Sequence, residues 1–247
     1  MARILVIPDV HGKDNWKDSV NLALKENDTH IIFLGDYVDH FTIDSYHILK
    51  NLKNIINFKK LYPTRITLLI GNHDYAYVFG KIATSGFNYM MWVDYRQLIN
   101  DNWNLFNMAW GFQGKDKYTL LTHAGLTNTF YEEIVNEIND PETVMHNILV
   151  LKADKLWKDL PLHELLNYFA DQVSLMWHIG LRRRGTSLSG SILWADKYEL
   201  LIDRFKGINQ IVGHTPGNCI EEKVIDDDRI IFTDVYSCLM PFIIDLV

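Results

Sequence analysis

Residues 30–39 read His30-Ile31-Ile32-Phe33-Leu34-Gly35-Asp36-Tyr37-Val38-Asp39. Residues 30–34 form a strand-length run that stops at a glycine, followed by two acids three positions apart. Outward from this stretch the same pattern recurs. Upstream, Ile4-Leu5-Val6-Ile7 ends in Pro8-Asp9-Val10-His11-Gly12, and downstream, residues 66–70 end in Gly71-Asn72-His73-Asp74. Between the runs lie amphipathic stretches. One covers residues 15–25; the other carries Ile43, Tyr46, Ile48, Leu49, Leu52, Ile55 and Ile56 at three- and four-residue spacing. Short apolar runs alternating with helical periodicity predict βαβ units of an α/β protein, with parallel strands covered on both faces.

The middle of the chain is less regular. Residues 75–117 are rich in aromatics and Asn and read as short helices and loops. A strand at 118–122 then ends in His123-Ala124-Gly125. Three helical segments are expected between 129 and 177, with starts marked by Asp140-Pro141 and Leu160-Pro161. The last places Leu162, Leu165, Leu166, Phe169, Val173 and Met176 on one face, a stripe that suits core packing. After Arg182-Arg183-Arg184-Gly185 and a Ser/Gly-rich loop, strand-like runs return at 210–212, 229–233 and 242–246. The first of these leads into Gly213-His214-Thr215. No internal repeat or linker interrupts the chain, so a single domain over 1–247 with an insertion is expected.

Composition narrows the function classes. The 247 residues are 48% apolar and 22% charged, as in a globular protein. The net charge of −7 argues against an extended nucleic-acid surface, while leaving room for a small basic cleft. The apolar runs are strand-length, far short of a membrane span. The first strand begins too early to leave room for a signal peptide, so a cytoplasmic setting is expected. There are ten histidines and only two cysteines, Cys219 and Cys238, so a bound metal would be held by nitrogen and oxygen and the thiols are expected free.

Five motifs share one placement: Asp9-x-His11-Gly12, Gly35-Asp36-x-x-Asp39, Gly71-Asn72-His73-Asp74, His123-Ala124-Gly125 and Gly213-His214-Thr215. Each puts Asp, Asn or His just past the C-terminal end of an expected strand. In a mostly parallel sheet, ligands gather at that edge, so the five loops should converge. Carboxylate, carboxamide and imidazole without thiolate suit Mn²⁺, Fe or Zn²⁺. Six or seven such groups exceed the needs of one ion. Two ions roughly 3.5–4 Å apart, sharing a bridging carboxylate, would clamp a phosphoryl group and generate hydroxide at neutral pH.

In this order, the five motifs resemble the calcineurin-like metallophosphoesterase superfamily. Gly35-Asp36-Tyr37-Val38-Asp39 and Leu193-Trp194-Ala195-Asp196 lean toward its serine/threonine-phosphatase branch and the related bacterial diadenosine tetraphosphatases. The resemblance covers residues 3 to about 125 and about 190 to 240; a helical insert at about 126–185 lies outside it. It implies a central sandwich of two mixed β-sheets flanked by helices. It also implies two divalent ions, Mn²⁺ first, with Fe, Zn²⁺ or Ni²⁺ as alternatives. Asp9 and His11 would bind the first ion, Asp36 would bridge, and Asn72, His123 and His214 would bind the second. His73 would be the general acid, oriented by Asp39. Hydrolysis would proceed by direct attack of metal-bound hydroxide without a phosphoenzyme. The substrate would be a phosphorylated small molecule, a nucleotide or a phosphoprotein. The alternatives are a nucleotide phosphohydrolase or phosphodiesterase, and an inactive binding scaffold.

One position departs from the pattern. The family places Arg directly after Asp39 in G-D-x-x-D-R, and this chain has His40. Imidazole cannot copy the bidentate fork of a guanidinium on phosphate. Arg182, Arg183 and Arg184 are the candidates for compensation, and a solvated turn is the competing reading of the same three residues. Arg65 and Arg96 are weaker candidates. Asp74, Thr122 and Thr215 are open between supporting the site and shaping local turns, and Trp194 and Asp196 between walling the site and packing.

Overall fold

The computed structural model describes residues 3–80, 82–139, 160–170, 173–236 and 238–245. Its first sheet is built from Arg3–Ile7 (β1), Thr29–Phe33 (β2), Ile66–Leu69 (β3), Phe106–Asn107 (β4) and Phe242–Asp245 (β10), in the order β10-β1-β2-β3-β4. The first four are mutually parallel, and β10 joins the β1 edge antiparallel. The second sheet contains Ala109–Gln113 (β5), Tyr118–Thr122 (β6), Asn209–Val212 (β7), Glu221–Ile225 (β8) and Asp228–Phe232 (β9), in the order β5-β6-β7-β9-β8. Here β6, β7 and β9 are parallel, while β5 and β8 run antiparallel at the edges. Two mixed sheets flanked by helices are what the resemblance implied.

Strand periodicity explains the layering. Successive side chains point to opposite faces, so β1 sends Ile4 and Val6 one way and Leu5 and Ile7 the other. Ile4, Val6, Ile32, Leu34 and Leu69 meet Leu121, Ile211 and Ile231 of the second sheet and form the layer between the sheets. Leu5, Ile7, Ile31, Phe33, Ile66 and Leu68 face the helices Trp16–Lys25 (α1) and Ser45–Leu61 (α2), where Trp16, Val20, Leu52 and Ile55 pack against them. Burial of each such side chain stabilises the fold by roughly 1.5–3 kcal/mol. On the far side of the second sheet, Val212, Ile230 and Phe232 pack on Leu200 of the helix Lys197–Asp203.

The irregular region differs from expectation. Residues 75–117 do contain the helices Asn72–Phe79 (α3) and Trp92–Asn100 (α4), but β4 and β5 lie there too. Gly111 in the middle of β5 masks its strand character. A Cβ there would fall 2.1 Å from the Tyr118 hydroxyl on β6, so glycine is required by close approach. Strand β8 (Glu221-Glu222-Lys223-Val224-Ile225) was also unread. It is a charged, largely exposed edge strand, a composition that blunts edge-to-edge pairing and leaves no apolar alternation.

Within 126–185 the described helices are Asn128–Asn139 (α5), Leu162–Tyr168 (α6) and Val173–Met176 (α7). The Leu160-Pro161 start is observed, with Pro161 preceding the first turn. The start at Asp140-Pro141, like His146, lies outside the described residues. The Leu162 stripe divides between α6 and α7, and Leu165, Leu166, Phe169 and Met176 join the main core. Among the described residues no helix is long and apolar enough to cross a membrane.

Candidate metal centre

The C-terminal ends of β1, β2 and β3 in one sheet and of β7 and β9 in the other open onto a single cavity of about 640 Å³, with His123, just past β6, buried behind it. Asp9, His11, Asp36, Asn72, His73 and His214 line it, with Thr84, Arg183, Arg184, Trp194 and Asp234 among the remaining wall. The backbone that delivers these groups is unusual. His11, Asp36, Asp39 and His214 all have positive φ, at 44°, 51°, 64° and 63°. Such conformations cost roughly 1–3 kcal/mol each for non-glycine residues and persist only where the surroundings enforce them. Here the enforcing contacts are visible. His11 N donates to Asp36 O at 2.7 Å and Gly12 N to Tyr37 O at 3.1 Å, zipping the first two loops together. Asp74, fully buried, accepts from Tyr37 N (2.8 Å) and Gly71 N (3.0 Å), pinning the second loop to the start of α3.

The glycines make room for carboxylates. A Cβ on Gly71 would sit 2.1 Å from Asp36 Oδ1, and one on Gly213 would sit 2.1 Å from Asp9 Oδ1. Neither glycine has positive φ, so the requirement is space and not backbone freedom.

Asp36 is the centre of the arrangement. Its Oδ2 lies 3.7 Å from His11 Nε2, 3.4 Å from His123 Nε2 and 4.0 Å from His73 Nε2. Asn72 Oδ1 lies 2.9 Å from His123 Nε2 and 3.0 Å from His214 Nδ1. Two groups of donors therefore share Asp36: His11, Asp36 and His73 on one side, Asp36, His123 and His214 on the other, each within 4.8 Å. Asp9 lines the same cavity, with both carboxylate oxygens 3.1 Å from the His214 backbone N–H.

The electrostatics fit a cation. Burial drives the Asp9 carboxyl up to about 6, against the pull of His123. Burial and Asp9 push Asp234 up to about 7. Asp36 goes the other way: despite burial, His123, His73 and His11 hold it well below the usual carboxylate range. His123, although buried, is raised to about 9 by Asp36 and Asp9. Buried acids competing for imidazolium protons form a site whose donors suit divalent ions.

His73 stands apart from the other imidazoles. Its Nδ1 lies 2.8 Å from Asp39 Oδ2, and its Nε2 faces the cavity. Burial opposes its charge, but Asp36 and Asp39 outweigh it and raise the pKa. Asp39 is itself fixed by the Tyr77 hydroxyl at 2.5 Å and Thr84 Oγ1 at 3.0 Å.

The arginines separate. Arg183 and Arg184 line the cavity. Arg183 is oriented by Thr215 Oγ1 (2.6 Å from Nη2) and Asp196 (3.1 Å from Nε). Arg182 instead lies over the Tyr198 ring at 4.8 Å. Arg65 binds the carbonyls of Ala23, Leu24 and Thr29, and Arg96 lies over Trp92, so neither faces the cavity. His40 Nδ1 accepts from Thr42 N and Ile43 N, both at 3.1 Å, and shapes the turn before α2. Thr122 Oγ1 accepts from Gly125 N, a turn contact. Asp196 also caps the helix Lys197–Asp203 through Tyr198 N at 2.9 Å. His47, His163 and His178 have local partners in Asp14, Tyr118 and Glu133. Among the described residues Cys219 and Cys238 form no disulfide.

Sequence reasoning missed Asp234, Tyr77 and Thr84. Asp234 follows the strand-like run at 229–233 and so carries the same signal as the other loops, an acid just past a strand, without the flanking glycine. Tyr77 and Thr84 reach Asp39 only through folding of the 77–88 segment and leave no local signal.

Known phosphatases share part of this sequence. A protein phosphatase 2A catalytic subunit of Dictyostelium discoideum is 38% identical over 72 residues, 29% of this chain and 22% of that protein. Serine/threonine-protein phosphatase SIT4 of Candida albicans is 36% identical over 78 residues, 29% of this chain and 23% of that protein. The aligned stretch thus spans under a quarter of the length of these relatives. A solved Saccharomyces cerevisiae serine/threonine phosphatase with similarity to human phosphatase PP5 matches 94% of this chain and 67% of its own, at 14% identity and a TM-score of 0.48. The sequence model of the calcineurin-like phosphoesterase family matches residues 2–218, nearly the whole chain, and the protein belongs to that family.

Proposed function

We propose that this chain is a phosphomonoesterase that works with two divalent ions, Mn²⁺ first, on phosphorylated protein side chains, as one cytoplasmic catalytic domain. The observation that carries the reading is the single carboxylate Asp36 shared by two donor groups, one of which contains the Asp39-backed imidazole of His73. On this reading Asp9 and His11 hold one ion, Asn72, His123 and His214 the other, and Asp36 serves both. Bound there, the ions would supply Lewis acidity at the phosphoryl oxygens and a nucleophile ionised near neutral pH.

The chain's own residues do the rest. His73 carries a proton on Nε2, facing the cavity, and donates it to the departing oxygen. Asp39 accepts from Nδ1 and stabilises the imidazolium, which raises the fraction of protonated acid near neutral pH. Arg183 and Arg184 grip the non-bridging oxygens in place of the arginine that His40 replaces. Arg183 is pre-oriented by Thr215 and Asp196, so little side-chain freedom is lost on binding. The protein-phosphatase relatives support phosphoprotein as the substrate class.

The test is a panel with saturating Mn²⁺: phosphoserine and phosphotyrosine peptides, diadenosine tetraphosphate and 2′,3′-cyclic nucleotides. Phosphopeptides should give the highest kcat/KM. Preferential cleavage of the dinucleotide would replace the substrate class, and no turnover of any ester with Mn²⁺, Zn²⁺, Fe²⁺ or Ni²⁺ would reject catalysis.

A further inference from the structure

Metal-binding imidazoles need their second ring nitrogen fixed, because that contact selects the tautomer and aims the lone pair. In this site two histidines are fixed in the same way. His11 Nδ1 lies 2.9 Å from both Val38 O and Asp39 O, and His123 Nδ1 lies 2.9 Å from Leu34 O. Each carbonyl takes an Nδ1–H, which leaves Nε2, on the Asp36 side, as the nitrogen that could offer a lone pair to an ion.

His214 is reversed. Its Nδ1 points inward, 3.0 Å from Asn72 Oδ1 and 3.2 Å from His123 Nε2. Its backbone is held apart from this contact: φ is +63°, and the N–H is clamped by both oxygens of Asp9. The outer atom is therefore Nε2, which is buried and meets no oxygen or nitrogen partner. The ring that stands beside this imidazole is aromatic. The Trp194 ring stands at 81° to the imidazole, with centroids 6.1 Å apart, and is backed by Trp177 at 5.7 Å. Trp194 is 9% exposed and shares the cavity wall with His214.

A buried N–H without an acceptor costs about 1–3 kcal/mol. When Nδ1 donates its lone pair to an ion, the proton must reside on Nε2, which has no hydrogen-bond partner in the protein. An indole face is the best acceptor on offer, because its π cloud is negative and an N–H aimed at it is attracted. We propose that Trp194 is the positioning residue of His214, its indole face receiving the Nε2–H that carbonyls receive in the other two histidines. The proposal rests on the reading that His214 Nδ1 is a donor to the second ion.

The experiment separates the two. Mn²⁺ binding to the full chain is followed by calorimetry and metal analysis for wild type, Trp194→Phe, Trp194→Leu and His214→Ala. Phe keeps a π face and should hold both ions within about 3-fold of wild-type affinity. Leu removes it and should weaken the second ion about 10- to 100-fold while the first is retained. In the Zn²⁺-loaded wild type, ¹⁵N NMR should report His214 with Nε2 protonated and Nδ1 bare. Wild-type affinity in the Leu variant or an equal loss in Phe and Leu would overturn the proposal, while an Nδ1–H tautomer in the loaded protein would reject the ligand assignment beneath it. If Leu does not fold, the Phe variant decides: a second ion bound about 10-fold or more weaker than in wild type would overturn the proposal. His214→Ala holding two ions would instead reject the underlying ligand assignment.

Discussion

Replacing Asp39 by Asn tests the proton-transfer half of the proposed mechanism with little disturbance of the fold. Asn tolerates the left-handed backbone at φ 64°, and its amide can still accept from His73 Nδ1. The Tyr77 hydroxyl, which already accepts from Asn88 N at 2.7 Å, has a second lone pair for an amide N–H. What the substitution removes is charge, in a place where the Asp39 side chain is 1% exposed. A charge-assisted hydrogen bond contributes about 1.5–3 kcal/mol, against about 0.5–1.5 for a neutral one. With the Coulombic support also gone, the imidazolium is destabilised and the His73 pKa, which Asp36 and Asp39 raise, falls. The basic limb of kcat should move to lower pH. At pH 7.5, turnover of phenyl phosphate, a poor leaving group, should fall about 10- to 100-fold. Turnover of p-nitrophenyl phosphate, which needs less protonation, should fall much less, and bound Mn²⁺ should stay at the wild-type level. An equal fall on both esters would refute His73 as the acid. Loss of an ion would place the His73–Asp39 pair in metal binding instead.

Two further outcomes follow from packing and burial. Gly71→Ala would place a methyl 2.1 Å from Asp36 Oδ1 and 2.3 Å from its backbone N, which has no freedom to retreat; bound Mn²⁺ should fall, stability should drop by about 1–3 kcal/mol, and an unchanged Tm with full metal content would contradict the geometry. His30, stacked on Trp110 and 2.9 Å from Thr67 Oγ1, is lowered to about 4 by burial, with Lys59 and Arg65 adding to it. Above pH 6.5 it is neutral folded and unfolded and contributes nothing to the pH dependence. As pH falls from 6.5 toward 4 only the unfolded chain takes up the proton, so about 3 kcal/mol of stability is lost in that window. Urea unfolding at pH 7 and 4.5 should show a smaller loss for His30→Gln, and identical losses would refute the assignment.

Much of the fold was legible because buried strands of the first sheet are covered on both faces, which writes them as continuous apolar runs. Strand β8 was illegible for the opposite reason: an exposed edge needs charge, and Glu221-Glu222-Lys223 looks like a loop. Strand β5 was hidden by Gly111, which is there for the Tyr118 side chain of a neighbouring strand. The same divide runs through the candidate site. Asp9, His11, Asp36, Asn72, His123 and His214 announce themselves because each stands just past the end of one of five strands. Arg182, Arg183 and Arg184 are indistinguishable as a sequence, yet a 3₁₀ turn over Leu181–Arg183 and a left-handed Arg184 send two of them into the cavity and one onto Tyr198.

By itself, then, the sequence determined which residue types stand at the ends of which strands, since strand, turn and polar loop residue are adjacent along the chain and obey local rules. It also determined the nitrogen-and-oxygen character of the donors and the βαβ alternation. Tertiary structure alone decided which nitrogen of each histidine faces inward. His11 and His123 present Nε2 because carbonyls of the Leu34–Asp39 segment capture their Nδ1, whereas His214 presents Nδ1 to Asn72 Oδ1 from the other sheet, with its backbone held by Asp9 more than two hundred residues away. Those contacts depend on loops from two sheets meeting at one edge, and no local pattern encodes them.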